Sequence, residues 1–155
     1  MKIIVDAMGG DNAPLEIVKG ALQAQKRFGA AIVFTGDEAA ILDAVRACGL
    51  TDLPDGAAVI PTTETVEMCD DPATVFRRKK DTSMGVGLTL LKNGGGDAMV
   101  SAGSTGALLT GATLITKRIH GIRRAAMAPV IPTATGSAVL IDCGANAECT
   151  PEYLV

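Results

Sequence analysis

Three short stretches of this sequence gather small, flexible and polar residues: DAMGGDNAP at residues 6–14, SAGSTGAL at 101–108 and DCGAN at 142–146. Glycine permits close backbone approach, and successive backbone N–H groups beside a helix start converge on an anion. The chemistry these stretches suit is therefore the binding of phosphate or a carboxylate. In the second stretch Gly103 and Gly106 give room, while Ser101, Ser104 and Thr105 add hydroxyl groups. In the first, Asp6 and Asp11 flank the pair Gly9 and Gly10, with the Asn12 amide alongside. An Asp at a strand end can orient a ligand, bind a metal through oxygen, or accept loop N–H groups. Asn146 closes the third stretch. Ordinary strand-to-helix turns use the same residue types, so spacing leaves both readings open.

Other signatures are not met. GVGLTL at 85–90 lacks the third glycine of the dinucleotide fingerprint, and no GxxxxGK[ST] phosphate loop occurs. His120, the one histidine, precedes Gly121 at an expected helix end, and no nucleophile elbow accompanies it, which argues against a Ser-His-Asp hydrolase. Cys48, Cys69, Cys143 and Cys149 show no CxxC spacing, and one histidine does not complete a zinc set. Reduced, structural thiols are the expectation, with Cys143 the one thiol inside a candidate loop. The run Arg77, Arg78, Lys79 and Lys80 reads either as a solvated helix end or as a docking site for an anionic partner. Lys117, Arg118, Arg123 and Arg124 present the same choice.

The elements that must position these residues follow a βαβ pattern with a parallel sheet. A strand is expected at 2–6, then a helix at 14–28 with Leu15, Val18, Ala21 and Leu22 facing the core. A strand at 31–35 leads into a helix through Ile41, Leu42 and Val45, closed by Gly49, and a strand at 57–60 follows. TTETVEMCDD at 62–71 reads as a long polar loop, of the kind that is often functional. Asp71 and Pro72 open a short helix that ends in the basic run, and a cap at 81–83 starts another that stops at 93–96. A strand at 97–101 precedes a long helix through Leu109, Leu114 and Ile119, closed by Gly121. A Pro-rich connection at 128–135 and a strand at 138–142 complete the pattern, and Thr150, Pro151 and Glu152 read as the start of a further helix. In open α/β sheets ligands bind beyond the carboxyl ends of strands, where all three stretches are expected to fall.

Composition narrows the class. The 155 residues, 48% apolar and 20% charged, suit one globular domain able to bury its own core. Aromatics make up 3% and Trp is absent, so the core is aliphatic and base-stacking platforms are disfavoured. A net charge of −3 argues against a general duplex-DNA binder. The sequence reads as having no signal peptide and no membrane span, which makes the cytoplasm the expected location.

Taken in order, VDAMGGDNAP at 5–14, RRKKDTSM at 77–84, SAGSTGAL at 101–108, APVIPT at 128–133 and LIDCGANAECTPEYL at 140–154 resemble the bacterial phosphate acyltransferases of phospholipid synthesis. Asn12 stands where that family often has His, and Ser104 where it often has Asn; both substitutes still form hydrogen bonds. The resemblance implies a three-layer α/β/α fold with a mainly parallel sheet, similar to phosphate acetyltransferases and isocitrate/isopropylmalate dehydrogenase-like enzymes. Family members are longer, and the resemblance covers their N-terminal half, so residues 1–155 are expected to form a single α/β domain equivalent to that half. It implies conversion of acyl-[acyl carrier protein] and inorganic phosphate to acyl phosphate, without cofactor or metal. The implied partners are a carrier protein bearing a phosphopantetheine thioester, phosphate, and a second copy in a homodimer, with peripheral membrane contact and no nucleic acid. It assigns catalysis to Ser104, Thr105, Asp6 and Asn12, and substrate binding to Gly9, Gly10, Asp11, Ser101, Gly103, Gly106 and Asn146. Arg77, Arg78, Lys79 and Lys80 become the carrier or anion contact. Two other classes stay open: a nucleotide-binding oxidoreductase module, and an incomplete fragment that binds carrier or a full-length subunit.

Overall fold

KIIVD and AIVFTG are short, apolar and β-branched, which suits strands buried on both faces. In the computed structural model, which describes residues 1–146, 148, 150 and 151, they form β1 (Lys2–Asp6) and β2 (Ala31–Gly36), the central strands of a four-stranded parallel sheet. β3 (Ala57–Pro61) flanks β2, and β4 (Ala98–Val100) flanks β1. Val5 lies opposite both Phe34 and Val100. The loops that follow β1 and β4 therefore leave the sheet at the same level and side by side.

Helices cover both faces of the sheet. On one, α1 (Leu15–Phe28) and α2 (Glu38–Ala47) bring Val18, Ala21, Ile41, Ala44 and Val45 against Val5, Ile32 and Phe34. The Asp37 carboxylate starts α2 by accepting from the Ala40 N–H at 2.9 Å, and Gly49 follows its end with φ of 85°. On the other face, α3 (Val75–Arg78) precedes α4 (Ser83–Lys92), whose N-cap hydroxyl, Thr82 Oγ1, accepts from the Gly85 N–H at 3.1 Å. A Cβ on Gly87 would lie 2.8 Å from Met99 Cε and 3.4 Å from Ile4 Cγ2, so glycine lets α4 rest directly on β1 and β4. α5 (Thr105–Gly111) adds Ala107 to a second core with Val66, Val75, Met84 and Leu88. The arrangement is three-layered, as the sequence led one to expect.

Four sequence expectations need correction. Leu15 is 42% exposed rather than in the core, because Val18 and Ala21 define the buried stripe of α1. The helix expected to reach Ile119 ends earlier, in a π-helical turn over Ala112–Thr116. Leu109, Leu114 and Ile119 are five residues apart, a spacing that does not keep one side of a 3.6-residue helix; Ala107, Gly111 and Ile115, four apart, face the core instead. The Lys117 N–H donates to the Ala112 carbonyl at 2.8 Å, and Lys117 leaves the helix with φ of 73°. The Pro-rich connection contains a strand, β5 (Val130–Thr133), paired antiparallel with β6 (Gly136–Val139). The strand expected at 138–142 is thus half of a separate hairpin, and all eight of its strand residues are exposed. The expectations for Cys149 and for a helix start at Glu152 lie outside the described residues.

Phe34 is fully buried at the centre of the first core. Phe34→Ala is expected to lower unfolding free energy by about 3–5 kcal/mol in a urea titration, whereas Phe28→Ala, at a 71% exposed position, changes it by less than about 0.5 kcal/mol.

Candidate functional site

Pairing of β1 with β4 joins two loops that are 95 residues apart in sequence. Asp6, the last residue of β1, is 1% exposed. Its carboxylate accepts from the Ser101 hydroxyl at 2.7 Å and from the Met8 N–H at 3.3 Å. Ser101 Oγ in turn accepts from the Gly103 N–H at 3.1 Å. A buried carboxylate is costly unless its oxygens are satisfied, so Asp6 fixes the course of the 101–104 loop. Gly9 presses against this chain of bonds: a Cβ there would fall 2.8 Å from both Asp6 Oδ2 and Gly103 N, and 2.9 Å from Ser101 Oγ. Gly10, with φ of 113°, packs on Ala102, and Met84 of α4 supports Gly103 from beneath.

Ser104 is the N-cap of α5; its Oγ accepts from the Ala107 N–H at 3.3 Å, which leaves its own O–H available to donate. Thr105 and Gly106 are exposed beside it. Asp11 and Asn12 are exposed in the turn before α1, where the Asn12 carbonyl accepts from the Glu16 N–H at 3.2 Å. The structure thus gathers Asp6, Gly9, Gly10, Ser101 and Gly103 into one bonded unit with Ser104, Thr105 and Gly106 continuing from it. The result is a buried acceptor behind a rim of hydroxyl and amide donors. Among the described residues, no group of three or more His, Cys, Asp or Glu side chains is placed to hold a metal ion.

Asn146 belongs to a different neighbourhood. It donates from Nδ2 to Asp142 at 2.8 Å and to the Ala125 carbonyl at 3.1 Å, and its Oδ1 accepts from Arg124 at 3.4 Å. A depression of about 370 Å³ separates it from Thr110, Thr113 and Leu114. The third loop follows a hairpin strand outside the parallel sheet, which is why it does not join the first two at the sheet's carboxyl edge. Donation from the Met127 N–H, joined by bonds from Asn146 and Ala145, holds the Asp142 carboxyl below its ordinary value. Cys143 and His120 are exposed, apart from this bonded unit.

The basic run also divides. Arg77 and Arg78 are exposed, but Lys79 Nζ contacts Asp70 at 2.6 Å and the Thr65 carbonyl at 3.0 Å, and Lys80 Nζ donates to the Phe76 carbonyl at 3.2 Å. Lys79 is therefore a strut of the long loop rather than a free surface cation. That loop holds residues the motif search passed over: Pro72 lies on Gly106, its Cγ 3.2 Å from where a Cβ would stand. The polar length of 62–71 marked the loop as notable, while its seat on α5 had no sequence signal.

Two measurements follow from this geometry. Gly9→Ala crowds backbone and buried carboxylate together and is expected to cost about 1–3 kcal/mol in urea unfolding, whereas Gly20→Ala, on α1 with nothing within 4 Å, is expected to add about 0.4–1 kcal/mol. The hydrogen bond from Lys79, followed by that from the Glu67 backbone, holds the Asp70 carboxyl below its ordinary 3.8. A depressed carboxyl contributes stability above its unfolded value and loses it as pH falls through the folded one. Amide shifts of residues 67–72 are expected to stay constant between about pH 5 and 8 and to move only on stronger acidification, a transition absent from Asp70→Asn.

A sequence profile described as Fatty acid synthesis protein matches residues 1–155. Among curated relatives, a protein named phosphate acyltransferase from Alkaliphilus oremlandii (strain OhILAs) is 47% identical over 100% of this chain and 46% of its own length. Another of that name from Thermotoga neapolitana is likewise 47% identical, over 100% of this chain and 44% of its own length. The chain thus spans about half the length of the curated relatives it matches. A crystal structure of a phosphotransacetylase from Streptococcus pyogenes superimposes with a TM-score of 0.73 at 20% identity, over 99% of this chain and 50% of the other, and shares its α/β fold. With its full length matched by the profile and its relatives so named, the chain belongs to the fatty acid synthesis protein family, alongside the phosphate acyltransferases.

Proposed function

We propose that this chain supplies the phosphate-binding part of a phosphate acyltransferase, which converts acyl-[acyl carrier protein] and inorganic phosphate to acyl phosphate for phospholipid synthesis. The observation that carries the reading is the Asp6–Ser101–Gly103 chain of hydrogen bonds, which holds two glycine-rich loops together at the carboxyl ends of adjacent parallel strands. Its support in sequence is the similarity to proteins named phosphate acyltransferases over the whole chain.

In this reading a phosphate oxygen attacks the thioester carbonyl. A carbon–oxygen bond forms, the carbon–sulfur bond breaks, and the phosphopantetheine thiolate leaves and takes up a proton. The hydroxyls of Ser104 and Thr105 and the N–H of Gly106 donate to phosphate and to the tetrahedral oxyanion. Asp6 acts through Ser101, since its carboxylate faces that hydroxyl and is shielded from solvent. Asp11 and Asn12 shape the adjoining wall, and Arg77 and Arg78 meet the acidic carrier protein. Acyl transfer between sulfur and oxygen involves no redox change and needs no electron-carrying cofactor. The working form is a cytoplasmic homodimer that hands acyl phosphate to the membrane surface.

A second reading is favoured by the half-length match and by the fully exposed hairpin β5–β6: a half-site that binds phosphate and turns over only with the remainder of the family fold. One experiment separates the two. The purified chain is mixed with a long-chain acyl carrier protein thioester, with and without phosphate, and free carrier is measured. Phosphate-dependent release that falls about 100-fold in Ser104→Ala or Thr105→Ala supports the first reading. A folded sample that binds phosphate without turnover supports the second, and one that neither binds phosphate nor turns over overturns both.

A further inference from the structure

The long loop between β3 and α3 is zipped to the α3–α4 linker at its start. Thr63 donates from both N–H and hydroxyl to Asp81 at 2.8 and 2.7 Å, and Glu64 and Thr82 form a parallel bridge. Its second part lacks such a ladder. There, a turn closes from the Asp70 N–H to the Glu67 carbonyl at 3.1 Å, and a single side chain ties this turn to the body of the protein. Lys79, at the end of α3, reaches both the Thr65 carbonyl and the Asp70 carboxylate, with 29% and 20% of the two side chains exposed.

Two residues beyond Asp70 is Pro72, whose ring covers Gly106 in the first turn of α5. A shift of the 65–72 strap moves this ring and with it the surface beside Ser104 and Thr105. Val66 and Val75 anchor the strap's flanks in the same core as Ala107, so displacement at one end is transmitted rather than absorbed.

We infer that Lys79 is a positioning residue: by clamping Asp70 and the Thr65 carbonyl to α3, it seats Pro72 on Gly106 and sets the first turn of α5 for anion binding. The anion part rests on the proposed function, whereas the seating of Gly106 does not. The role differs from carrier docking, for which a lysine must be free to leave its internal partners.

The test uses the intact chain and three single variants, Lys79→Met, Lys79→Arg and Asp70→Asn, with the double variant Lys79→Met/Asp70→Asn. Amide shifts of Thr105, Gly106 and Ala107 are recorded without ligand, and inorganic phosphate is then titrated at low and moderate salt. Lys79→Met and Asp70→Asn are expected to move the Gly106 amide alike and to weaken phosphate binding by about three- to tenfold. The double variant is expected to be no worse than either single one, and Lys79→Arg to restore affinity to within about twofold. Unchanged Gly106 shifts in folded Lys79→Met overturn the inference, as do losses that add in the double variant. If the parent chain does not bind phosphate, the proposed function fails at its first step, and the ligand-free Gly106 shift still decides the positioning role.

Discussion

A carboxylate taken out of water must find donors, and in this fold that requirement falls on Asp6. Alternation along β1 sends Val5 into the first core and Asp6 to the opposite side, at the level where β4 ends. The donor it finds is a hydroxyl on the neighbouring loop, which is itself held by a backbone amide. Loop geometry, the tolerance for no side chain at Gly9, and the starting point of α5 all descend from this arrangement. The buried acid is thus better understood as the anchor of the donors around it than as a group that meets an anion, which its charge would repel.

The two faces of the sheet are built differently. Phe34 and branched aliphatic side chains fill the face under α1 and α2. Under α4, Met84 and Met99 fill the gaps left by Gly87 and Gly103, and methionine adapts its shape more readily than branched residues do. The face that carries the candidate site is therefore the one whose packing can yield to small movements of a loop.

How much of this was legible depended on the range of the signal. Caps are local, and Asp37, Thr82 and Ser104 could be read from the residues that follow them. The parallel sheet followed from apolar runs alternating with helices, and the first two glycine loops from their place after strands. Period errors were costlier: a five-residue spacing of large apolar side chains in 109–119 outweighed the small residues that face the core. Pro132 argued against a strand, but a hairpin edge needs no N–H there. Contacts between distant segments, Lys79 with the strap and Pro72 with Gly106, leave no local pattern at all. Residues 138–142 read as a sheet strand because a short apolar run does not reveal its partner.

The span between the two site loops bears on how the chain folds. β1 and β2 meet after one short helix, while Asp6 and Ser101 must close a segment of 95 residues. Loop-closure entropy grows with the logarithm of length, so the longer closure costs about 1 kcal/mol more than that joining Lys2 to Ala31. Contacts of such sequence separation form late on a folding route and slow it. The β1–β2–β3 portion with its two helices can assemble first as a nucleus, and the ligand-facing edge is then completed by the last strand to arrive. Selection for a working site in this architecture acts on the slowest step of folding as much as on the residues that touch the ligand.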